Sequence, residues 1–238
     1  MLDASFIEKI SEMSKPNRFD LGGVVFHDKK MFRTDPPSCL TLKVGQLQSI
    51  VDYLQTEMEK DTHYLIHIEG PESVELISRL HTDYRTRERI LSAEPNGIGF
   101  VFGRYYDVEN FVIALQADFV RDEAVEKVLA YVGNMKTSTE VSTRQDGCSQ
   151  STQVRTGLAE VALATVPNPV ILAPFRTFIE IEQPYSEFVL RLNAAHQCAL
   201  FEADGGAWKV YAVKAIKLWF WAELTKIEFD LSRVTILA

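Results

Sequence analysis

Cysteine is scarce in this 238-residue chain: Cys39, Cys148 and Cys198 are odd in number and widely spaced, which excludes a disulfide framework and points to a reducing compartment. Long apolar runs are missing too. No stretch approaches the roughly 18 residues of a membrane span, and the opening MLDASFIEKISEM is acidic where a secretory leader is basic, so neither insertion nor export is expected. Positive charge is in deficit: 25 Lys+Arg against 33 Asp+Glu leave a net −8, which disfavours general coating of nucleic acid but allows a local basic stripe. C-x-x-C, G-x-S-x-G, H-E-x-x-H and kinase-type signatures are absent. The expectation is a cytoplasmic, non-catalytic protein without cofactor or metal.

What is present is an ordinary globular balance, 46% hydrophobic and 24% charged, enough for a packed core without a staple. Asp3 is placed to cap a short helix with Phe6, Ile7, Ile10 and Met13 on one side and Pro16 closing it, a helix that would dock on a sheet. Leu21–Asp28 and Ser38–Leu42 read as strands separated by Pro36-Pro37. Val44, Leu47, Val51, Leu54 and Met58 recur at helical spacing and predict a helix from Val44 to Lys60. Alternation from His63 to Glu69, the break at Gly70-Pro71 and a second run from Val74 to Leu80 predict paired strands. Ile90–Ala93 and Ile98–Phe102 flank Pro95-Asn96-Gly97, a hairpin signal. Two helices follow, Asp107–Val120 and Asp122–Val132, with both aspartates as N-caps, Glu123 and Glu126 in a first turn, and Gly133 as a C-cap.

Lys136–Gly157 holds nine Ser or Thr around Asp146-Gly147 and reads as a polar two-stranded arm. Beyond it the chain is strand-like to Val210, and four prolines between Pro167 and Pro184 exclude a regular helix there. Ala212–Leu224, apolar nearly all round with Trp219-Phe220-Trp221 consecutive, reads as a buried helix, with a strand as the alternative. The fold class expected is α+β, mostly antiparallel with helices on one side, divided as an N-terminal region (1–135), the polar β-arm (136–157) and a β-rich C-terminal region (158–238) that together form one cooperative unit.

Candidate chemistry is sparse. His63 and His67 lie on a strand with no nearby Cys or acidic third ligand beyond Glu69, Cys198 sits in an apolar strand, and Gly97-Ile98-Gly99 has the wrong spacing for a phosphate loop. Glu202 and Asp204 share one side of a strand before Gly205-Gly206, so a divalent ion and metal-dependent hydrolysis compete there with a simple tight turn. Arg85, Arg87 and Arg89 alternate beside Tyr84, with Arg104, Tyr105 and Tyr106 further on, the composition of a single-strand nucleic-acid face. Arg176, Glu180, Glu182, Glu187 and Arg191 are interleaved with Phe175, Phe178, Ile179, Ile181, Phe188 and Leu190, a charged ladder that suits an assembly surface.

The runs PNPVILAPFRTFIEIEQPYSEFVLRL (Pro167–Leu192) and CALFEADGGAWKVYAVKAIKLWF (from Cys198) resemble the YfdQ-like family of tailed-phage and prophage proteins, a domain of unknown function. Asp107–Met135 and Gln153–Gly157 resemble its middle region, while residues 1 to about 100 are less distinctive. Arg176, Glu182, Gln183, Arg191, Glu202, Asp204 and Trp208 match the family-like motif as a fold signature, with no catalytic residue to carry over. The resemblance implies a soluble protein made in the cytoplasm of an infected bacterium. The leading expectation is a homo-oligomeric phage accessory protein, with itself as partner through Arg176, Glu180, Glu182, Arg191, Trp219, Phe220 and Trp221, and a host or phage protein as a further partner. The alternatives are a single-stranded nucleic-acid binder using Arg85, Arg87, Arg89, Tyr105 and Tyr106, and an anti-defence small-ligand sponge or inhibitor.

Overall fold

A computed structural model describes residues 3–21, 24–29, 39–56, 62–80, 85–95, 99–136, 141–145, 149–156, 159–160, 164–193 and 195–238. They divide into two compact units, Met1–Ser38 and Cys39–Ala238. In the first, Ala4–Ser14 forms α1, and Arg18–Leu21 (β1) pairs antiparallel with Val24–His27 (β2). The stretch from Leu21 read as one strand is therefore a strand end and a second strand. Within this unit the β1–β2 pair does not cover the apolar stripe of α1, whose Phe6, Ile7, Ile10 and Met13 are 51–72% exposed.

The second unit begins with Leu42–Val44 (β3) and Gln48–Thr56 (α2). Val44, expected in the helix, instead pairs with Ala93, and α2 buries Ile50, Val51 and Leu54. Tyr64–Gly70 (β4) and Ser73–Ser78 (β5) form the hairpin that Gly70-Pro71 announces, and Arg89–Ala93 (β6) lies beside β5. The turn at Asn96-Gly97 lies outside the described residues, but Gly99–Phe102 is not a strand. Phe100 there is 3% exposed and packs its ring edge-on to those of Phe111 and Phe119, a tertiary demand that alternation does not encode.

Val108–Asp118 (α3) starts at Asp107, whose side chain accepts from the Asn110 amide at 2.9 Å, and Glu123–Lys136 (α4) starts at Asp122, which accepts from Val125 at 2.9 Å. Gly133 does not end α4: the helix continues through it to Lys136. Val141–Gln145 (β7) and Ser149–Thr156 (β8) form the expected arm, widened by Ala159–Glu160 (β9) and Ala164–Pro167 (β10), each paired with β8. Its Asp146-Gly147 turn lies outside the described residues. Val170–Leu172 (β11), Ser186–Leu192 (β12) and Cys198–Glu202 (β13) form an antiparallel sheet.

Strand character stops at Glu202 rather than Val210. Gly205 and Gly206 take φ of +62° and +81°, and the Asp204 carboxylate accepts from the Gly206 and Trp208 amides at 3.0 and 3.2 Å, starting Ala207–Lys226 (α5). The far end of α5 closes through Glu228 at φ +54°, with the Phe229 amide on the Leu224 carbonyl. A single 3-10 turn, Leu231–Arg233, leads to Val234–Leu237 (β14).

The five-stranded sheet runs β14-β4-β5-β6-β3, antiparallel except for its two outer pairs. The 1–135 and 158–238 regions therefore share one sheet. Ile66, Leu76, Leu91 and Val234 on one face pack with α2 and α5 in a first core. A second core sets α3 and α4 against Val170, Leu172, Phe188, Leu190 and Leu200 of the three-stranded sheet. Both layers have their helices on one side, and the fold is α+β.

Candidate functional site

The chain between β11 and β12 crosses from one core to the other. Leu172 and Phe188 lie in the second core, whereas Phe178 and Ile181 between them insert in the first. Arg176 sits at this crossing and is 1% exposed. Its Nη1 donates to Glu202 Oε1 at 2.9 Å, Nη2 to the Ser186 hydroxyl, and its backbone amide to Gln183 Oε1 at 3.1 Å. The guanidinium lies 3.9 Å from the centroid of the Trp208 ring and 5.6 Å from that of Phe188. Burial pulls the Arg176 pKa down to about 10, opposed by the charges of Glu202 and Asp204. Burial would raise Asp204, but the Gly206 and Trp208 amides, the Ser186 hydroxyl and Arg176 hold it below the ordinary carboxylate value.

A cavity of about 310 Å³ opens onto this cluster, walled by Pro71, Glu72, Phe102, Arg176, Glu202, Trp208 and Lys209. Its charges balance, and the cation between Glu202 and Asp204 is Arg176 itself. This arrangement clamps β13 and the start of α5 to the crossing segment. Among the described residues no three His, Cys, Asp or Glu side chains converge as metal ligands. His63 is used structurally, with Nδ1 near the Ser232 carbonyl at 3.1 Å and Nε2 near the Thr235 hydroxyl at 2.9 Å. Burial pushes the Cys198 thiol up to about 12.

The seven proposed self-contact residues do not form one surface. Arg176 and Phe220 are buried inside the chain, so neither side chain lies on the surface that the ladder and the aromatic triplet predict for them. Glu180 accepts from the Gln48 amide at 3.3 Å at the start of α2. Trp219 packs edge-on to Phe220, 5.1 Å between centroids, while Trp221 is 40% exposed. Glu182 and Arg191 are exposed.

The arginine face is similarly dispersed. Arg85 has a left-handed backbone, Arg87 Nη1 donates to the Ser78 carbonyl at 3.1 Å, and Arg89 Nε pairs with Glu75 at 2.8 Å; Tyr84 lies outside the described residues. Tyr106 stacks on Phe100 and its hydroxyl accepts from the Val101 amide, whereas Tyr105 keeps 38% exposure beside Phe201. Arg104, Tyr105, Asn110, Asp118 and Gln197 line a shallow cavity of about 620 Å³.

Sequence reasoning missed Ser186, and it named Gln183 only as part of a fold signature; both are buried polar partners of Arg176. The available signal was Ser186 at the β12 position where alternation calls for an apolar residue. No helix among the described residues is long and apolar enough to cross a membrane. No family model, curated protein or solved structure matches this chain.

Proposed function

We propose that this chain is a non-catalytic accessory protein of a tailed phage or prophage that works as a homo-oligomer in the cytoplasm of the infected bacterium. The phage setting rests on the resemblance of the Pro167–Leu192 and Cys198 runs to the YfdQ-like family. Self-association rests on one observation, the outward face of the three-stranded sheet. Its inner face is filled by Phe188, Leu190 and Leu200, while Glu187 and Arg191 point outward on either side of Val189. Ile171 pairs with Glu187, Phe201 pairs with Val189, and both apolar side chains remain exposed, 55% and 37%.

Glu187 and Arg191 are spaced symmetrically about Val189. A two-fold axis through Val189 therefore sets each glutamate of one copy over the arginine of the other and brings the two Val189–Phe201 pairs together. Such a face is complementary to itself. Sedimentation at micromolar concentration tests it: the wild-type chain sediments as an oligomer, and Glu187→Arg or Arg191→Glu alone shifts it towards monomer. The double swap restores the oligomer. A monomeric wild type, or single variants indistinguishable from it, defeats the proposal.

A further inference from the structure

α5 also has an outward face, and its chemistry is different. Trp208, Ala212, Ile216, Phe220 and Leu224 form its buried stripe. On the other side Val210, Tyr211, Leu218 and Trp221 are 40–68% exposed. Lys214 is exposed beside them and Lys217 partly so, whereas Lys209 lies against Trp208 at the cavity and Lys226 pairs with Glu223 off this face. The helix has a single acid, Glu223, which is 22% exposed and paired with Lys226 at 3.1 Å. A chain of net charge −8 thus presents one helix face that is apolar and aromatic and whose charged side chains, Lys214 and Lys217, are both basic.

We propose that this face docks an acidic amphipathic helix of another protein. Tyr211, Lys214, Leu218, Trp221 and Thr225 follow one another at intervals of three, four, three and four, the seam along which a second helix packs. Exposed Leu218 and Trp221 supply apolar anchors, and the lysines supply the electrostatic selection. A second copy of this chain is a poor occupant, because it would gather the lysines of two copies in one interface with no free acid of α5 to oppose them. The surface is therefore separate from the self-complementary sheet face.

The test uses the full chain and a synthetic amphipathic peptide with leucine at heptad positions a and d and glutamate at e and g. The controls are the same peptide with lysine at e and g, an oligothymidylate, and phosphatidylglycerol vesicles. Tryptophan fluorescence reads binding through Trp221. The acidic peptide binds with an affinity that falls as salt rises, while the basic peptide does not bind. The double variant Lys214→Glu, Lys217→Glu and the single variant Leu218→Asp each weaken binding by about tenfold or more. All three positions reach solvent, and circular dichroism checks that the variants remain folded.

Three outcomes overturn the inference: no binding of the acidic peptide, equal binding of both peptides, or binding untouched by these substitutions. Binding of the oligothymidylate or the vesicles without the acidic peptide also overturns it, and assigns the face to nucleic acid or to lipid.

Discussion

Arg176 is the residue whose role changes most between sequence and structure. In the sequence it is one rung of a charged ladder; in the fold it is a buried cation whose countercharge, Glu202, stands 42% exposed. Removing the partner is then worse than removing the cation. Glu202→Gln, which strands a buried charge, lowers stability by up to about 3 kcal/mol, more than Arg176→Met, which takes the charge away. Urea unfolding of the two variants checks the order, and the reverse order would mean that Asp204 alone suffices as countercharge. Asp204 adds a pH dependence. A carboxylate whose pKa falls on folding contributes stability that is present above its unfolded value and lost as pH falls through the folded one. Asp204→Asn is accordingly less stable than wild type at neutral pH, and the two converge in acid below the carboxylate range. Little of this site is legible in the sequence alone. The Asp-Gly-Gly turn is visible from local backbone chemistry, but the crossing of Arg176 between two cores depends on contacts distant in sequence.

Helices are legible where caps announce them and obscure where sidedness is not written in composition. Asp107 and Asp122 mark α3 and α4 because a short side chain satisfies an amide two or three residues away, a purely local matter. Glycine misleads at the other end. Gly133 has helical neighbours, and no described atom beyond its own surroundings in the helix lies within 4 Å of the point a Cβ would occupy. Gly133→Ala therefore raises stability by about 0.5–1 kcal/mol, whereas a true C-cap glycine would lose by the change. The left-handed closing residue is Glu228, just beyond α5, and Glu228→Gly is expected to be neutral or stabilising, by up to about 1 kcal/mol. Thermal melts of both variants read the contrast. α5 is apolar on most sides, so its sequence does not say which face is covered. Ile216→Ala costs about 2–5 kcal/mol, while Leu218→Ala, 68% exposed in the wild type, stays within about 0.5 kcal/mol.

Across the whole second unit, the two cores share the crossing segment, and the five-stranded sheet draws strands from both ends of the unit. All three tryptophans lie in α5, Trp208 and Trp219 in or against the first core, while Phe100, Phe111, Phe119 and Phe188 belong to the second. One cooperative transition is expected, with tryptophan fluorescence and far-ultraviolet dichroism coinciding in denaturant. Separate midpoints would show that the crossing does not couple the cores. The α+β class and the order of the elements are visible from periodicity, whereas the pairing of β14 with β4 is not, since nothing local links residues so far apart. His63 and Thr235, joined by a hydrogen bond at this seam, are separated by 172 positions. During translation β4 emerges long before the strand that will lie beside it. Its flank stays bare while the intervening segments leave the ribosome, an interval in which a nascent polypeptide invites misassembly or a chaperone.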